Sequence, residues 1–221
     1  MKIYLMRHSE TDWNRQGRIQ GQTDIPLNMN GLRLAGLSGR GMAEIPFDIC
    51  YVSPLVRAIE TAAVVLSRNP HFLSKGMGQI VEPRIKEIGF GVWEGLHSRA
   101  DFGEIPRSDF EAFYYSPDEN CYCPEGAERL ASVIRRSNAF IDEIAEEPAL
   151  QDKTILAVTH GCTLRCIMSR FSADPEYFLH PHVPYNCEAA IVEKDEDGKL
   201  VLKDPGSIYY DSDLAVNYYG Y

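Results

Sequence analysis

Short apolar runs alternate along the chain with longer segments whose apolar residues recur at helical spacing. A brief apolar run between polar neighbours is typical of a buried strand. Such runs lie at residues 2–6, 47–52, 79–82 and 154–158. Helical spacing predicts helices at about 31–43, from Ser53-Pro54 onward, at about 125–147 and directly after His160. Two further runs, at 187–193 and 199–203, flank Asp197-Gly198 and predict a hairpin.

The order of these elements predicts an α/β fold with a mostly parallel central sheet covered by helices on both faces. Two segments interrupt the alternation. Residues 9–30 are polar and turn-rich and are expected to form an ordered loop. Residues 96–124 are aromatic and broken by prolines, and are expected to form an irregular lid or insertion. No repeat or linker divides the chain, so a single domain over 1–221 is the simplest organisation.

Charge limits the kind of partner. The formal net charge is −10 at pH 7, which argues against a general nucleic-acid or anionic-membrane binder. An acidic surface also repels anionic substrates at long range, so a phosphate site needs its own local cluster of positive charge. No apolar stretch approaches the roughly 20 residues needed to span a bilayer. Arg7 and His8 interrupt the only apolar run near the N-terminus, so a signal peptide is not expected.

The six cysteines are scattered through the sequence and indicate reduced thiols in a cytoplasmic protein. Cys121 and Cys123 lie close together but far in sequence from a second ligand pair, so they do not predict a zinc site. No metal ligands are assigned. His71, His97, His180 and His182 share no spacing with other ligands and are expected at the surface or in packing contacts.

Three predicted strands end in residues suited to binding an anion. Arg7 and His8 follow the first strand, Arg57 comes shortly after the second, and His160 follows the run at 154–158. Ends of parallel strands meet at one edge of a sheet, so these side chains are expected to converge. Arg57 is the most informative, because an arginine in the first turn of a helix is unfavourable unless an anion binds there. Two arginines suit phosphoryl oxygens through paired hydrogen bonds.

Four segments then match one family. The chain resembles the histidine phosphatase superfamily, which includes the cofactor-dependent phosphoglycerate mutases. LMRHSETDWN at 5–14 is similar to the family's phosphohistidine motif, with Ser9 where glycine is commonest. SPLVRAIETA at 53–62, KEIGFGVWEG at 86–95 and AVTHGCTLR at 157–165 resemble its second-arginine, acidic and second-histidine motifs. The resemblance runs from residue 2 to about 193 and implies a phosphoglycerate mutase-like three-layer sandwich.

The resemblance implies a role for each site residue. His8 would attack phosphorus and carry the phosphoryl group, while Arg7, Arg57 and His160 would bind the equatorial oxygens. Glu87 would protonate the leaving oxygen and then help to activate water. The nucleophile must be neutral at its reacting nitrogen, with the other nitrogen expected on a backbone carbonyl. By the same analogy, Asn14, Gln22, Thr23 and Gly161 are expected to contact the phosphoryl group or substrate.

Phosphatase and mutase differ in whether water or a second acceptor takes the phosphoryl group. Mutases of this family usually carry a longer, basic insertion after the acidic motif. Here 96–124 contains only Arg99 and Arg107 as basic residues, and its acidic residues outnumber them. We therefore expect a metal-independent phosphatase of small phosphomonoesters without a cofactor. The alternative is a phosphoglycerate mutase, which would need 2,3-bisphosphoglycerate.

Two alternatives come from other classes of protein. One is an inactive phosphate-ligand binding or regulatory protein that keeps the fold, although all five expected catalytic positions are filled. The other is a metal-dependent hydrolase, which the sequence disfavours because no aspartates cluster at the strand ends. The expected partner is a small anionic phosphorylated substrate, and the family resemblance makes a homodimer possible.

Overall fold

A six-stranded sheet forms the centre of the computed structural model, which describes residues 1–98, 103–179 and 183–218. The strands are β1 (Lys2–Arg7), β2 (Ile49–Val52), β3 (Ile80–Val81), β4 (Thr154–Thr159), β5 (Ala189–Lys194) and β6 (Leu200–Ser207). Their order is β3-β2-β4-β1-β5-β6; the first four run parallel, whereas β5 and β6 run antiparallel to their neighbours. The predicted mostly parallel sheet and its terminal hairpin are confirmed.

Successive side chains of β1 point to opposite faces of the sheet, and both sets are buried. Tyr4 and Met6 belong to one buried cluster, with side chains of two helices that follow β1 and β2 in the chain. Ile3 and Leu5 belong to a second cluster on the other face, with side chains of the helices that flank β4. Because successive strand residues point to opposite faces, an uninterrupted apolar run must be buried on both sides. The predicted three-layer α/β architecture is confirmed.

Seven α-helices surround the sheet within the described residues. They are α1 (Asp12–Arg15), α2 (Met29–Gly41), α3 (Val56–Leu66), α4 (Pro70–Ser74), α5 (Arg107–Tyr114), α6 (Leu130–Glu146) and α7 (Gly161–Met168). Helices α2 and α3 cover one face, and α6 and α7 cover the other. Short 3-10 turns at Pro83–Ile85 and Gly91–Trp93 carry the chain from β3 toward the insertion.

Two helix starts differ from the sequence expectation. Helix α3 begins at Val56 rather than at Ser53-Pro54, and the hydroxyl of Ser53 does not cap it. The Asp24 carboxylate accepts a hydrogen bond from the Val56 N–H instead (2.7 Å), so a distant loop supplies the cap. Helix α6 begins at Leu130, later than the expected residue 125, because a turn at 125–126 with Gly126 at a φ of 72° precedes it.

The segment 96–124 is less irregular than expected, because it contains the amphipathic helix α5. Phe110, Phe113 and Tyr114 of this helix are buried in a third apolar cluster with Phe90 and Trp93. The aromatic side chains that suggested an irregular insertion therefore pack the helix against the acidic-motif segment. Arg99, one of the two basic residues expected here, lies outside the described residues, as do His180 and His182.

Residues 9–30 also contain regular structure, because α1 interrupts the expected loop. All six cysteines are free thiols. Across the described ranges, no three histidine, cysteine, aspartate or glutamate side chains gather as metal ligands. No helix in those ranges has both the length and the apolar character needed to cross a bilayer.

Candidate active site

The carboxyl ends of three neighbouring strands are aligned. Arg7 at the end of β1 pairs with Thr159 at the end of β4, and Val52 at the end of β2 pairs with Val158. The residues that follow, His8 and His160, therefore leave the sheet at the same edge. Their imidazole rings lie 5.1 Å apart, centroid to centroid. The convergence expected from the sequence is present in the structure.

His8 has a defined tautomer and is almost entirely buried. Its Nδ1 lies 2.6 Å from the Ser9 carbonyl oxygen, which can only accept, so Nδ1 carries the proton. This leaves Nε2 with its lone pair, and His8 lines the cleft at the edge of the sheet. Burial, followed by the positive charges of Arg57 and Arg7, holds the pKa of His8 well below its usual 6.5. The imidazole is therefore neutral at neutral pH.

Arg57 is completely buried at the second residue of α3. Its guanidinium donates to the carbonyl oxygens of Gly21 (2.7 Å) and Thr23 (3.0 Å). These two bonds fix the plane of the guanidinium from the loop that follows β1. An arginine held in this way at a helix N-terminus beside His8 provides the fixed positive charge that an anion site requires.

Glu94 fixes the loop that holds Arg57. Its carboxylate accepts hydrogen bonds from the backbone N–H groups of Gln22 (2.9 Å), Thr23 (2.8 Å) and Phe90 (3.1 Å), and from the Thr23 hydroxyl (2.5 Å). Gly21 allows this approach, because a Cβ there would lie 2.1 Å from Glu94 Oε1. Glu94 is one of 32 acidic residues, and the sequence pattern does not distinguish it from the others.

Arg7 is held by the segment that precedes β5. It is 5% exposed, and its guanidinium donates to the Pro184 carbonyl. Gly161, at the start of α7, lines the cleft beside it, and a Cβ at that position would lie 3.6 Å from Arg7 Nε. The missing side chain therefore keeps this face of the guanidinium open to the cleft.

His160 is fully buried and contacts Ser53, the residue that follows β2. Its Nε2 lies 2.7 Å from Ser53 Oγ, and Nδ1 has no hydrogen-bond partner among the described residues. Ser53 Oγ also accepts from the Leu55 N–H (3.4 Å), so the hydroxyl that contacts His160 is held in place by the start of the next helix. Burial and then the charge of Arg57 keep the pKa of His160 well below 6.5. The imidazole is therefore neutral, with Nε2 in contact with Ser53 and Nδ1 without a hydrogen-bond partner among the described residues.

Glu87 lies at the N-terminus of α7, directly after the His160 strand end. Its Oε1 accepts from the N–H groups of Ile88 and Thr163 (both 3.0 Å), and its Oε2 accepts from the Cys162 N–H (3.2 Å). The N–H groups in the first turn of the helix, which have no partner within it, hold the carboxyl group at this place. Glu87 is 8% exposed and lines the cleft, so its carboxyl group is within the site.

The cleft joins these groups to an apolar outer wall, and a few polar groups beside apolar walls are typical of small-molecule sites. The five residues of the sequence prediction that line it are Arg7, His8, Arg57, Glu87 and Gly161. The wall is formed mainly by apolar and aromatic side chains, namely Ile19, Phe90, Phe110, Tyr114 and Val183.

The remaining substrate-binding predictions lie close to the site but not in its described lining. Asn14 is buried, and its side-chain oxygen accepts from the N–H and hydroxyl of Thr11 (both 3.1 Å) in the cap of α1. The Gln22 amide donates to the Glu87 carbonyl (3.0 Å). The Thr23 hydroxyl is bonded to Glu94. Substrate contacts by these three side chains stay predictions.

The sequence pattern does not predict the residues that hold the candidate catalytic groups. It marks Ser53 only as the start of a helix and does not mark Glu94, Pro184 or Asn186. Ser53 and Glu94 lie inside the matched segments 53–62 and 86–95, so the resemblance itself marked their neighbourhood. Pro184 and Asn186 act through a backbone carbonyl and a buried amide in an unpatterned loop, where composition carries no signal.

Comparisons with known proteins agree with this geometry. The family model of the histidine phosphatase superfamily (branch 1) matches residues 3–204. Phosphoserine phosphatase 1 of Hydrogenobacter thermophilus is 30% identical over 206 residues, which cover 92% of this chain and 91% of the relative. The probable phosphoglycerate mutase GpmB of Yersinia pestis is 29% identical over 197 residues, which cover 89% of this chain and 86% of the relative.

A solved structure extends the agreement to the fold. Bacillus stearothermophilus YhfR superposes with a TM-score of 0.77 at 28% identity, covering 96% of this chain and 98% of the other. The aligned strand ends, the paired histidines and the family match over nearly the whole chain lead to one conclusion. The chain belongs to the histidine phosphatase superfamily and is an enzyme of phosphoryl transfer.

Proposed function

We propose that the chain hydrolyses small phosphomonoesters through a phosphohistidine at His8, without a metal ion. The observation that carries the proposal is the state of His8. Its Nδ1 proton is held by the Ser9 carbonyl, and burial beside Arg7 and Arg57 keeps the ring neutral. Nε2 therefore has a lone pair for attack beside two guanidinium groups that favour the phosphate dianion.

In the first step, Arg7, Arg57 and the Nδ1–H of His160 bind the three non-bridging oxygens. His8 Nε2 attacks phosphorus in line, the Nε2–P bond forms and the ester P–O bond breaks. The leaving oxygen takes the proton of the Glu87 carboxylic acid. The two guanidiniums and the imidazole are fixed by protein hydrogen bonds before substrate arrives, so little reorganisation accompanies the change in charge.

In the second step, water attacks the phosphohistidine. Glu87, now a carboxylate, accepts a proton from that water as the oxygen bonds to phosphorus. The Nε2–P bond breaks, inorganic phosphate leaves, and His8 returns to its neutral state with Nδ1 still bonded to Ser9. Glu87 is again protonated, so the cycle closes without a net proton change on the enzyme.

The lining of the cleft favours a phosphatase over a mutase. A mutase must hold a bisphosphate, whose second phosphate needs further positive charge. Among the described residues that line the cleft, Arg7 and Arg57 are the only arginines or lysines. Arg107 lies on the exposed face of α5, where it pairs with Glu111 (2.7 Å). We accordingly propose a small phosphorylated metabolite as substrate and, as the sequence suggested, a cytoplasmic location.

Phosphate release from p-nitrophenyl phosphate in excess chelator tests the proposal. The native chain should turn over, and the His8→Ala variant should not. His71→Ala is the matched control, because His71 is a surface histidine near Asp48 and far from the cleft. Quenching the native enzyme and labelled substrate in alkaline detergent should trap a phosphoryl-enzyme that is stable to base and labile to acid, and that His8→Ala lacks.

A parallel assay distinguishes mutase activity from phosphatase activity. Isomerisation of 3-phosphoglycerate that depends on 2,3-bisphosphoglycerate, with little phosphate release, would replace hydrolysis by mutase activity. Phosphate release that chelator abolishes and a divalent ion restores would contradict the metal-independent mechanism. No turnover in either assay, with phosphate binding retained, would favour the inactive binding protein.

A further inference from the structure

The peptide group between His8 and Ser9 is held at both of its polar atoms. Its carbonyl oxygen, which belongs to His8, accepts from the Asn186 side-chain amide (3.1 Å). Its N–H, which belongs to Ser9, donates to the Thr61 hydroxyl (2.9 Å). The next carbonyl along the chain, that of Ser9, is the acceptor for His8 Nδ1. The orientation of this peptide group therefore determines where the imidazole finds its acceptor.

Asn186 reaches His8 from the turn that precedes β5. It is 3% exposed, and the turn is closed by bonds from the Glu188 N–H to the Tyr185 carbonyl (3.0 Å) and from the Tyr185 N–H to the Glu188 carboxylate (2.8 Å). Cys187 within it has a φ of 60°. A non-glycine residue in this region costs free energy, and such strain persists where surrounding contacts demand it.

A tyrosine of the C-terminal segment makes a hydrogen bond to this turn. The Tyr210 hydroxyl donates to the Asn186 carbonyl oxygen (2.8 Å). Burial raises the pKa of Tyr210, so the phenol keeps its proton and acts as a donor. Tyr209, its neighbour, also packs against the core, but its hydroxyl makes no hydrogen bond within the described residues. Of the two tyrosines, only Tyr210 therefore makes a hydrogen bond to Asn186.

We propose that Asn186 is a positioning residue for the nucleophile and that the Tyr210 hydroxyl fixes Asn186 for this role. The proposal rests on the function proposed above. Through Tyr210, the tyrosine-rich C-terminal segment would help to position the nucleophile. Asn186 touches neither substrate nor phosphorus; it acts through the main chain of His8, and Tyr210 acts through Asn186.

The test compares Tyr210→Phe, Asn186→Ala and the double variant, with Tyr209→Phe as the matched control. Loss of one hydrogen bond predicts a fall in kcat of roughly threefold for Tyr210→Phe and about tenfold for Asn186→Ala. KM for p-nitrophenyl phosphate should stay within about twofold, because neither residue lines the cleft. The double variant should be no slower than Asn186→Ala, since the effect of Tyr210 passes through Asn186.

A spectroscopic readout separates positioning from folding and from the proposed function. Nitrogen-15 NMR of the imidazoles should show a single His8 tautomer, protonated at Nδ1, in the native chain and in Tyr209→Phe. Asn186→Ala should mix the two tautomers, and Tyr210→Phe should do so to a smaller extent. This readout needs no turnover, so it remains decisive even if the chain is not a phosphatase.

Three results would overturn the proposal. They are a Tyr210→Phe variant indistinguishable from Tyr209→Phe, additive losses in the double variant, and an unchanged His8 tautomer in Asn186→Ala. If Asn186→Ala fails to fold, as judged by thermal unfolding, Tyr210→Phe alone decides the matter, because it removes one hydroxyl and keeps the ring in place.

Discussion

The hydroxyl of Ser53 and the imidazole of His160 meet at 2.7 Å, and this contact joins the ends of two adjacent strands, β2 and β4. The contact fixes the orientation of the His160 ring, and the proposed mechanism requires Ser53 to donate to Nε2 and His160 to carry its proton on Nδ1. In that state a buried imidazole donates to an oxyanion without carrying a charge, which its surroundings would disfavour. A serine that the sequence marks as the start of a helix thus orients the second histidine.

Replacing Ser53 by alanine should lower kcat/KM by about tenfold, because His160 loses the hydrogen-bond partner that holds its ring. The measurement is the steady-state hydrolysis of p-nitrophenyl phosphate. Ser67→Ala is a suitable control, since Ser67 bonds only to its own helix at the exposed end of α3. Equal activities for the two variants would show that the Ser53 contact has no part in catalysis.

The proton donor is expected to be Glu87, and leaving-group dependence reports on it. Glu87→Gln should slow hydrolysis of an alkyl phosphate by about 10²–10⁴-fold. Hydrolysis of p-nitrophenyl phosphate should suffer less, because nitrophenolate leaves without full protonation. The comparison of kcat/KM for the two substrates is the measurement. A loss of equal size on both would assign Glu87 a role in binding or structure rather than in proton transfer.

Glu94→Gln should weaken substrate binding at a distance. The Gln22 and Thr23 N–H groups bond to different oxygens of Glu94, so an amide NH₂ in place of one oxygen leaves one of these N–H groups without its acceptor. The free energy of unfolding should fall by about 1–3 kcal/mol, and KM should rise because Arg57 is held by this loop. Urea denaturation and KM measurements check both effects. The surface variant Glu196→Gln should match the native chain, and a Glu94→Gln variant that does so as well would refute the prediction.

The free energy of unfolding should fall as the pH drops below about 6.5, which is above the range in which carboxylates usually titrate. The folded-state pKa values of His8 and His160 lie well below 6.5, whereas the same imidazoles titrate near 6.5 when unfolded. Below about pH 6.5 the unfolded chain therefore binds more protons, and stability falls as pH drops. The slope should reach about 1.4 kcal/mol per pH unit for each histidine.

Denaturation at a series of pH values between about 7.5 and 5 tests this slope, in a window above the usual carboxyl range. His160→Asn should reduce the slope, because it removes one of the two groups that become protonated on unfolding. Parallel curves for the native chain and the variant would show that His160 is not kept neutral by the fold.

The sequence carried the layout of the strands and the chemistry at their ends, for identifiable reasons. Apolar runs such as 2–6 and 154–158 can only be buried strands in a sheet covered on both faces, and their ends mark Arg7, His8 and His160. Arg57 was recognisable because its charge conflicts with its place in a helix. All four were predicted, and the structure brings them together at one edge.

The sequence pattern does not predict the contacts between distant segments. Asp24 caps α3 from another loop, and Glu94 holds residues 22 and 23 from beyond β3. Such partners are chosen by the three-dimensional path of the chain, and a carboxylate that caps a distant backbone looks like any exposed one in the sequence. Helix α5 is not predicted because it has only eight residues between Pro106 and Pro117, although Phe110, Phe113 and Tyr114 recur at helical spacing.

The position of β1 between β4 and β5 has a consequence for biosynthesis. The strand that delivers Arg7 and His8 is translated before either neighbour, and its partners come from residues 154–159 and 189–194. Until these emerge, Ile3 and Leu5 have no sheet to join, and a nascent chain of this kind depends on late, long-range pairing. Premature termination before residue 154 would therefore yield an aggregation-prone fragment rather than a partly active enzyme.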